Sequence, residues 1–210
     1  MDFTLEKKVF IHNIKIVSFN IMFLAFVYIV MIFCMMNKSS LSKNTLIFIG
    51  EQLLSPIGII LFVRTTLIEQ ECRVNEIVYT KTYSHWKTIL YRIIIISVQL
   101  LLLLSIVFIP IKFLGEDFQI IKIFLGSFVT SFYLGIMGMM FAYITKQVSL
   151  GALIPFLYYF FEMFSKGKYT KTYYLFGMLV ENYMSKIKLF SIAILIVVLL
   201  LMAIHFCTSK

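Results

Sequence analysis

Six long apolar runs, set apart by short charged stretches, constrain this chain more than any other feature. They span Ile16–Met36, Thr45–Val63, Ile89–Ile109, Ile121–Thr145, Ser149–Ser165 and Leu189–Cys207 of 210 residues. Each approaches the roughly 20 apolar residues that a helix needs to cross a bilayer. In hydrocarbon the backbone must satisfy its own N–H and C=O groups, so each run is expected to be helical. Composition agrees: 61% of residues are hydrophobic and 14% charged, against about 45–50% and 25% in soluble domains. The expected fold is an all-α integral membrane protein with six transmembrane helices, forming a single transmembrane domain over residues 1–210. No room is left for a soluble catalytic domain.

The formal charge of +9 falls almost entirely between the apolar runs. That points to lipid headgroups and excludes nucleic acid as a partner. Cys34, Cys72 and Cys207 are too scattered for a metal site or a disulfide framework. No cleavable signal peptide is expected, because the first apolar run continues for a full membrane width.

Orientation follows from the Lys/Arg bias. With the N-terminus in the cytoplasm, the inner segments of the first half carry Lys7, Lys8, Lys15, Arg64, Arg73, Lys81, Lys87 and Arg92. The outer ones carry Lys38, Lys43, Lys112 and Lys122. This excess favours both termini inside. Lys166, Lys168, Lys171, Lys186 and Lys188 would then lie outside, against the rule.

Residues 1–15 carry Thr4, Lys8, His12 and Lys15 at helical spacing, with Phe3, Val9, Phe10 and Ile14 around the rest of the circumference. A thin basic stripe on an apolar helix predicts an interfacial helix. In the fourth run, Ser127, Ser131, Gly135, Gly138 and Ala142 share one face, the stripe of small residues that lets membrane helices approach closely. Pro56 and Pro155 mark kinks or broken helices. Residues 166–188, rich in Tyr and Phe, are expected to dip back into the outer interface as a re-entrant segment.

The 64–88 segment is the substantial inner loop. Glu69, Glu71, Arg73 and Glu76 alternate with Leu67, Ile68, Val74, Ile77 and Val78, and Trp86, Lys87, Tyr91 and Arg92 form an aromatic and basic anchor. It reads either as a solvated helical hairpin or as a docking surface for a cytoplasmic protein. Glu51 and Glu162, the intramembrane carboxylates, either pair and snorkel, with Lys43 or Lys166 in reach, or line a substrate path. A serine protease built from Ser127 or Ser131 with His205 lacks a base within reach of its nucleophile.

Six spans and a charged elbow after the second resemble the permease subunits of type-2 ABC transporters, the type V exporter fold. The elbow offers Glu69 and Glu71, then Arg73-Val74 where that family has Gly-Thr. It continues with Glu76-Ile77-Val78-Tyr79 and later Tyr91-Arg92; the family's Gly-Thr, Pro and Gly-Lys elements are not matched. The resemblance implies an exporter in the bacterial plasma membrane, with Glu69, Glu71, Arg73, Glu76 and Tyr79 docking cytoplasmic ATPase subunits and a second permease as partner. It implies paired short outer helices before the last span. The phosphate-binding pattern G-x-x-x-x-G-K-[ST] is absent: Gly167-Lys168 has Glu162 at the first Gly position and Tyr169 after the Lys. ATP and Mg would therefore be held by a separate ATPase, with no cofactor on this chain and no enzyme activity of its own. The expected substrate is hydrophobic or amphipathic, an antimicrobial peptide among the candidates. A six-span substrate-binding component of an importer and a toxin-immunity membrane protein are the alternatives.

Overall fold

The structure, a computed structural model, describes residues 10–11, 13–14, 19–35, 43–68, 85–113 and 120–208. Among the described residues there are helices and turns and no strand. Five helical stretches are long and apolar enough to cross a membrane: Lys43–Thr66, His85–Lys112, Ile120–Thr145, Val148–Ser165 and Tyr183–Phe206. A further helix, α1 (Phe19–Met35), has 17 residues. At 1.5 Å per residue it is about 25 Å long, somewhat short of the roughly 30 Å hydrocarbon core.

The second apolar run is a broken helix. It consists of α2 (Lys43–Phe48), five residues of π-helix (Ile49–Leu53), α3 (Pro56–Phe62) and a 3-10 turn (Val63–Thr66). Pro56 has no N–H to offer the carbonyl of Gln52, four residues back. A buried carbonyl left bare is costly, and this break leaves few of them so. Tyr159 donates its hydroxyl to Gln52 O at 3.0 Å, and Tyr28 donates to Leu53 O at 2.8 Å. Leu54 N–H reaches Ile49 O at 2.9 Å, and the Ser55 hydroxyl takes Glu51 O. Two tyrosines from neighbouring helices thus make an interrupted span tolerable.

The helices that follow are α4 (His85–Phe113), α5 (Ile120–Thr145), α6 (Val148–Ser165) and α7 (Tyr183–Thr208). α5 lies at the centre, against α3, α4, α6 and α7. Ser127, Ser131, Gly135, Gly138 and Ala142 are all buried along it. Gly58 of α3 sits directly on the Ser131 backbone, where a β-carbon would strike the carbonyl oxygen. Gly135 faces Gly58 O and Phe62, and Gly138 faces Val63 and Gly151 O. Gly151 of α6 lies on Ala142, with 2.5 Å to its Cβ from a built β-carbon. Close approach here rests on small side chains on both partners.

Two helix starts differ most from the sequence expectation. α4 starts at His85 rather than Ile89. α7 starts at Tyr183 rather than Leu189, so residues 183–188 of the expected outer segment are the first turns of the last helix. Asn182 caps that helix, its side-chain oxygen accepting from Ser185 N–H at 3.4 Å and its carbonyl accepting from Ser185 Oγ at 2.7 Å. The interfacial stripe Thr4, Lys8, His12 and Lys15 and the elbow residues Glu69, Glu71, Arg73, Glu76 and Tyr79 lie outside the described residues.

Candidate functional site

Residues 166–182 join α6 to α7 at the end of the bundle that also holds the start of α2 and the start of α5. α6 stops because Lys166 takes a left-handed backbone, with Gly167 at φ +74° just after it. The chain then makes two short 3-10 turns, Lys171–Tyr173 and Gly177–Val180. Between and within them Tyr174, Leu175, Phe176, Gly177 and Met178 are buried, while Lys171–Tyr173 is exposed. The middle of the segment is therefore inserted into the bundle and its flanks are not.

Two carboxylates hold it there. Glu51, in the π-helical break, is fully buried and forms an ion pair with Lys186 of α7, itself 6% exposed. The other Glu51 oxygen accepts the Met178 N–H at 2.9 Å. The Lys186 ammonium also donates to the Leu175 carbonyl and to Thr130 Oγ1 of α5, each at 2.6 Å. Glu162, near the end of α6 and also fully buried, accepts from Thr170 Oγ1 at 3.0 Å and faces Leu175 N–H at 3.5 Å. Leu175 is the hinge of the network: its N–H faces one carboxylate and its carbonyl binds the lysine paired with the other. Gly126 of α5 makes room, since a β-carbon there would lie 2.7 Å from Met178 Cγ and 3.5 Å from Glu51 Oε1.

The partners differ from those the sequence suggested. Glu51 meets Lys186, not Lys43 or Lys166. Lys43 instead pairs with Glu181 at 2.7 Å on the surface, and the Lys43 ammonium beside Glu181 holds its carboxyl below the usual carboxylate range. A carboxyl lowered in the folded state contributes stability above its ordinary titration range and loses it as pH falls through the lowered value. The wild-type chain should therefore unfold slightly later than Glu181→Gln at neutral pH, and at the same temperature once the carboxyl protonates. Thermal unfolding against pH measures this. In about 1 M salt the gap should close too, because the pair is exposed and screened.

At the opposite end of the bundle, Arg92 is not a surface anchor. It is 2% exposed. Its Nε donates to Asn13 Oδ1 at 2.9 Å and its guanidinium donates to the Thr65 carbonyl at 3.0 Å. It therefore ties the start of α4 to the end of the broken span, on either side of the elbow. Tyr91 meets Phe10 edge-on at 5.8 Å, and Lys87 lies 5.9 Å from the Trp86 ring.

Sequence reading singled out Glu51 and Glu162 but missed Lys186, Thr130 and the backbone of 174–178. One signal was available: Thr130 adds a third hydroxyl to Ser127 and Ser131 within one turn of an apolar helix. Among the described residues no three His, Cys, Asp or Glu side chains gather to hold a metal. No family model, no curated protein and no solved structure matches the chain.

Proposed function

We propose that this chain is the permease subunit of an ATP-driven exporter. In this reading it crosses the bacterial plasma membrane six times with both termini in the cytoplasm. A separate ATPase supplies ATP hydrolysis, a second permease completes the path, and the substrate is hydrophobic or amphipathic. The observation that carries it is the broken second span, with a buried carboxylate at the break latching the 174–178 plug. Transport proteins often interrupt helices beside a substrate path, where irregular backbone is buried in protein or lines a cavity and so finds partners.

In this reading the elbow works the latch. Arg64 lies in the 3-10 turn at the inner end of the same broken span that holds Glu51, about 20 Å from it along a helix at 1.5 Å per residue. Arg92 clamps the far stem of the elbow to Thr65. Force applied between residues 64 and 88 by an ATPase would thus be felt along α3, not dissipated in a slack loop.

The test is association. The tagged chain is purified from its native membranes, and vanadate-sensitive ATPase activity retained with it is measured. Reversing Glu69, Glu71 and Glu76 to Lys should weaken retention about tenfold or more, the effect expected when like charges face each other across an interface. Retention equal to wild type would remove the elbow as the docking surface, and with it this reading.

A further inference from the structure

Between α5 and α7 lies a cleft of 380 Å³ that borders the latch. Leu125, Phe128, Val129, Met178, Ile187 and Phe190 line it, and Lys122 and Lys186 are its charged residues. Its lips face hydrocarbon in a membrane-crossing bundle: Leu125 is 51% exposed and Ile187 62%. The volume lies within the roughly 300–1,000 Å³ range of small-ligand sites. That volume is small for a helix about 10 Å across and suits part of an extended acyl chain.

The two lysines decide what the chain is attached to. Lys186 is committed to Glu51, Thr130 and Leu175 O. Lys122 stands exposed at the mouth, 5.0 Å from the Tyr183 ring, at the lysine-rich end of the bundle where headgroups would lie. A cation over an amphipathic aromatic ring, above an apolar slot, complements a negative headgroup carrying a fatty tail.

We infer that this cleft binds one anionic phospholipid, its acyl chain between α5 and α7 and its phosphate on Lys122. The lipid tail would rest on Met178, so occupancy bears on the plug that Glu51 holds. The site does not depend on the exporter reading, and its test uses no ATP.

The full chain is purified in detergent, stripped of lipid and exposed to equal amounts of phosphatidylglycerol and phosphatidylcholine. Bound lipid is then counted by native mass spectrometry. Wild type should retain phosphatidylglycerol about fivefold over phosphatidylcholine, the advantage of one basic residue near a headgroup. Lys122→Gln should abolish that preference, lowering phosphatidylglycerol retention several-fold more than phosphatidylcholine retention. Val129→Trp, which fills the slot, should lose both lipids. Lys168→Gln, an exposed lysine off the cleft, should change neither. Equal retention of the two lipids by wild type would overturn the proposal. So would a Lys168→Gln effect as large as that of Lys122→Gln, which would mean unspecific attraction. If Val129→Trp fails to fold, Lys122→Gln and Lys168→Gln decide the matter, since both are surface changes.

Discussion

Lys186→Met alone should destabilise the folded chain by about 3–5 kcal/mol, the usual penalty for stranding one charge of a buried pair. Glu51 would keep the Met178 N–H and lose its cation in a fully buried site. Leu175 O and Thr130 would lose their donor as well. Glu51→Gln should cost a comparable amount, because it leaves the ammonium without its carboxylate. The double variant Glu51→Gln/Lys186→Met should recover most of the loss. Removing both charges spares both desolvation costs, and buried pairs are often replaceable by neutral groups at little or no cost. Unfolding of the three variants in lipid nanodiscs measures the non-additivity. Additive losses would mean that the two residues do not act as a pair.

The second large effect concerns Gly58. A β-carbon there collides with the Ser131 carbonyl, which is backbone and has no rotamer to offer. α3 and α5 would have to separate, and with them the stripe from Ser131 to Gly135. Gly58→Ala should therefore cost about 1–3 kcal/mol, the range for forcing extra volume into a packed core, and lie near its top. Gly50→Ala provides the contrast. Its β-carbon would meet Ser127 Oγ and lie 3.0 Å from Phe108 Cζ, both side-chain atoms that can turn aside. It should cost clearly less. Equal losses at the two glycines would argue that side-chain crowding, not backbone approach, sets the α3–α5 distance.

Helical class and apolar segments were legible because they depend on runs of like residues, which hydrocarbon reads locally. Pro56 likewise announced an interruption, since a missing N–H is a property of one residue. What the break needed could not be read: Tyr28 and Tyr159, which take its carbonyls, lie 25 and 107 residues away in sequence from their acceptors. The latch was hidden for the same reason. Lys186 sits in a polar stretch, Asn-Tyr-Met-Ser-Lys-Ile-Lys, that reads as loop and folds as the opening turns of α7. In sequence it is one lysine of five. Only the folded bundle shows it turned inward to Glu51 while Lys188 lies 5.9 Å from the Tyr173 ring at the surface.

Arg92 makes the converse point. Beside Trp86, Lys87 and Tyr91 it looks like part of an interfacial belt, and composition offers no reason to separate it from them. Its guanidinium is buried because it reaches the Thr65 carbonyl in the 3-10 turn Val63–Thr66. A guanidinium has enough donors to satisfy that carbonyl and Asn13 together.

Glu51 and Lys186 hold residues 174–178 in the bundle, and in the proposed exporter ATP turnover would release them. Met178 reports on it directly, being 3% exposed and packed on Gly126. With Cys34, Cys72 and Cys207 replaced by serine, Met178→Cys is treated with a membrane-impermeant maleimide, with Lys168→Cys as the exposed reference. At rest, labelling at 178 should be at least about tenfold slower than at 168, reflecting a closed state favoured by about 1.4 kcal/mol or more. Adding Glu51→Gln, or supplying ATP to the assembled transporter, should bring it close to the reference rate. Fast labelling at rest, or slow labelling that neither Glu51→Gln nor ATP accelerates, would contradict the account.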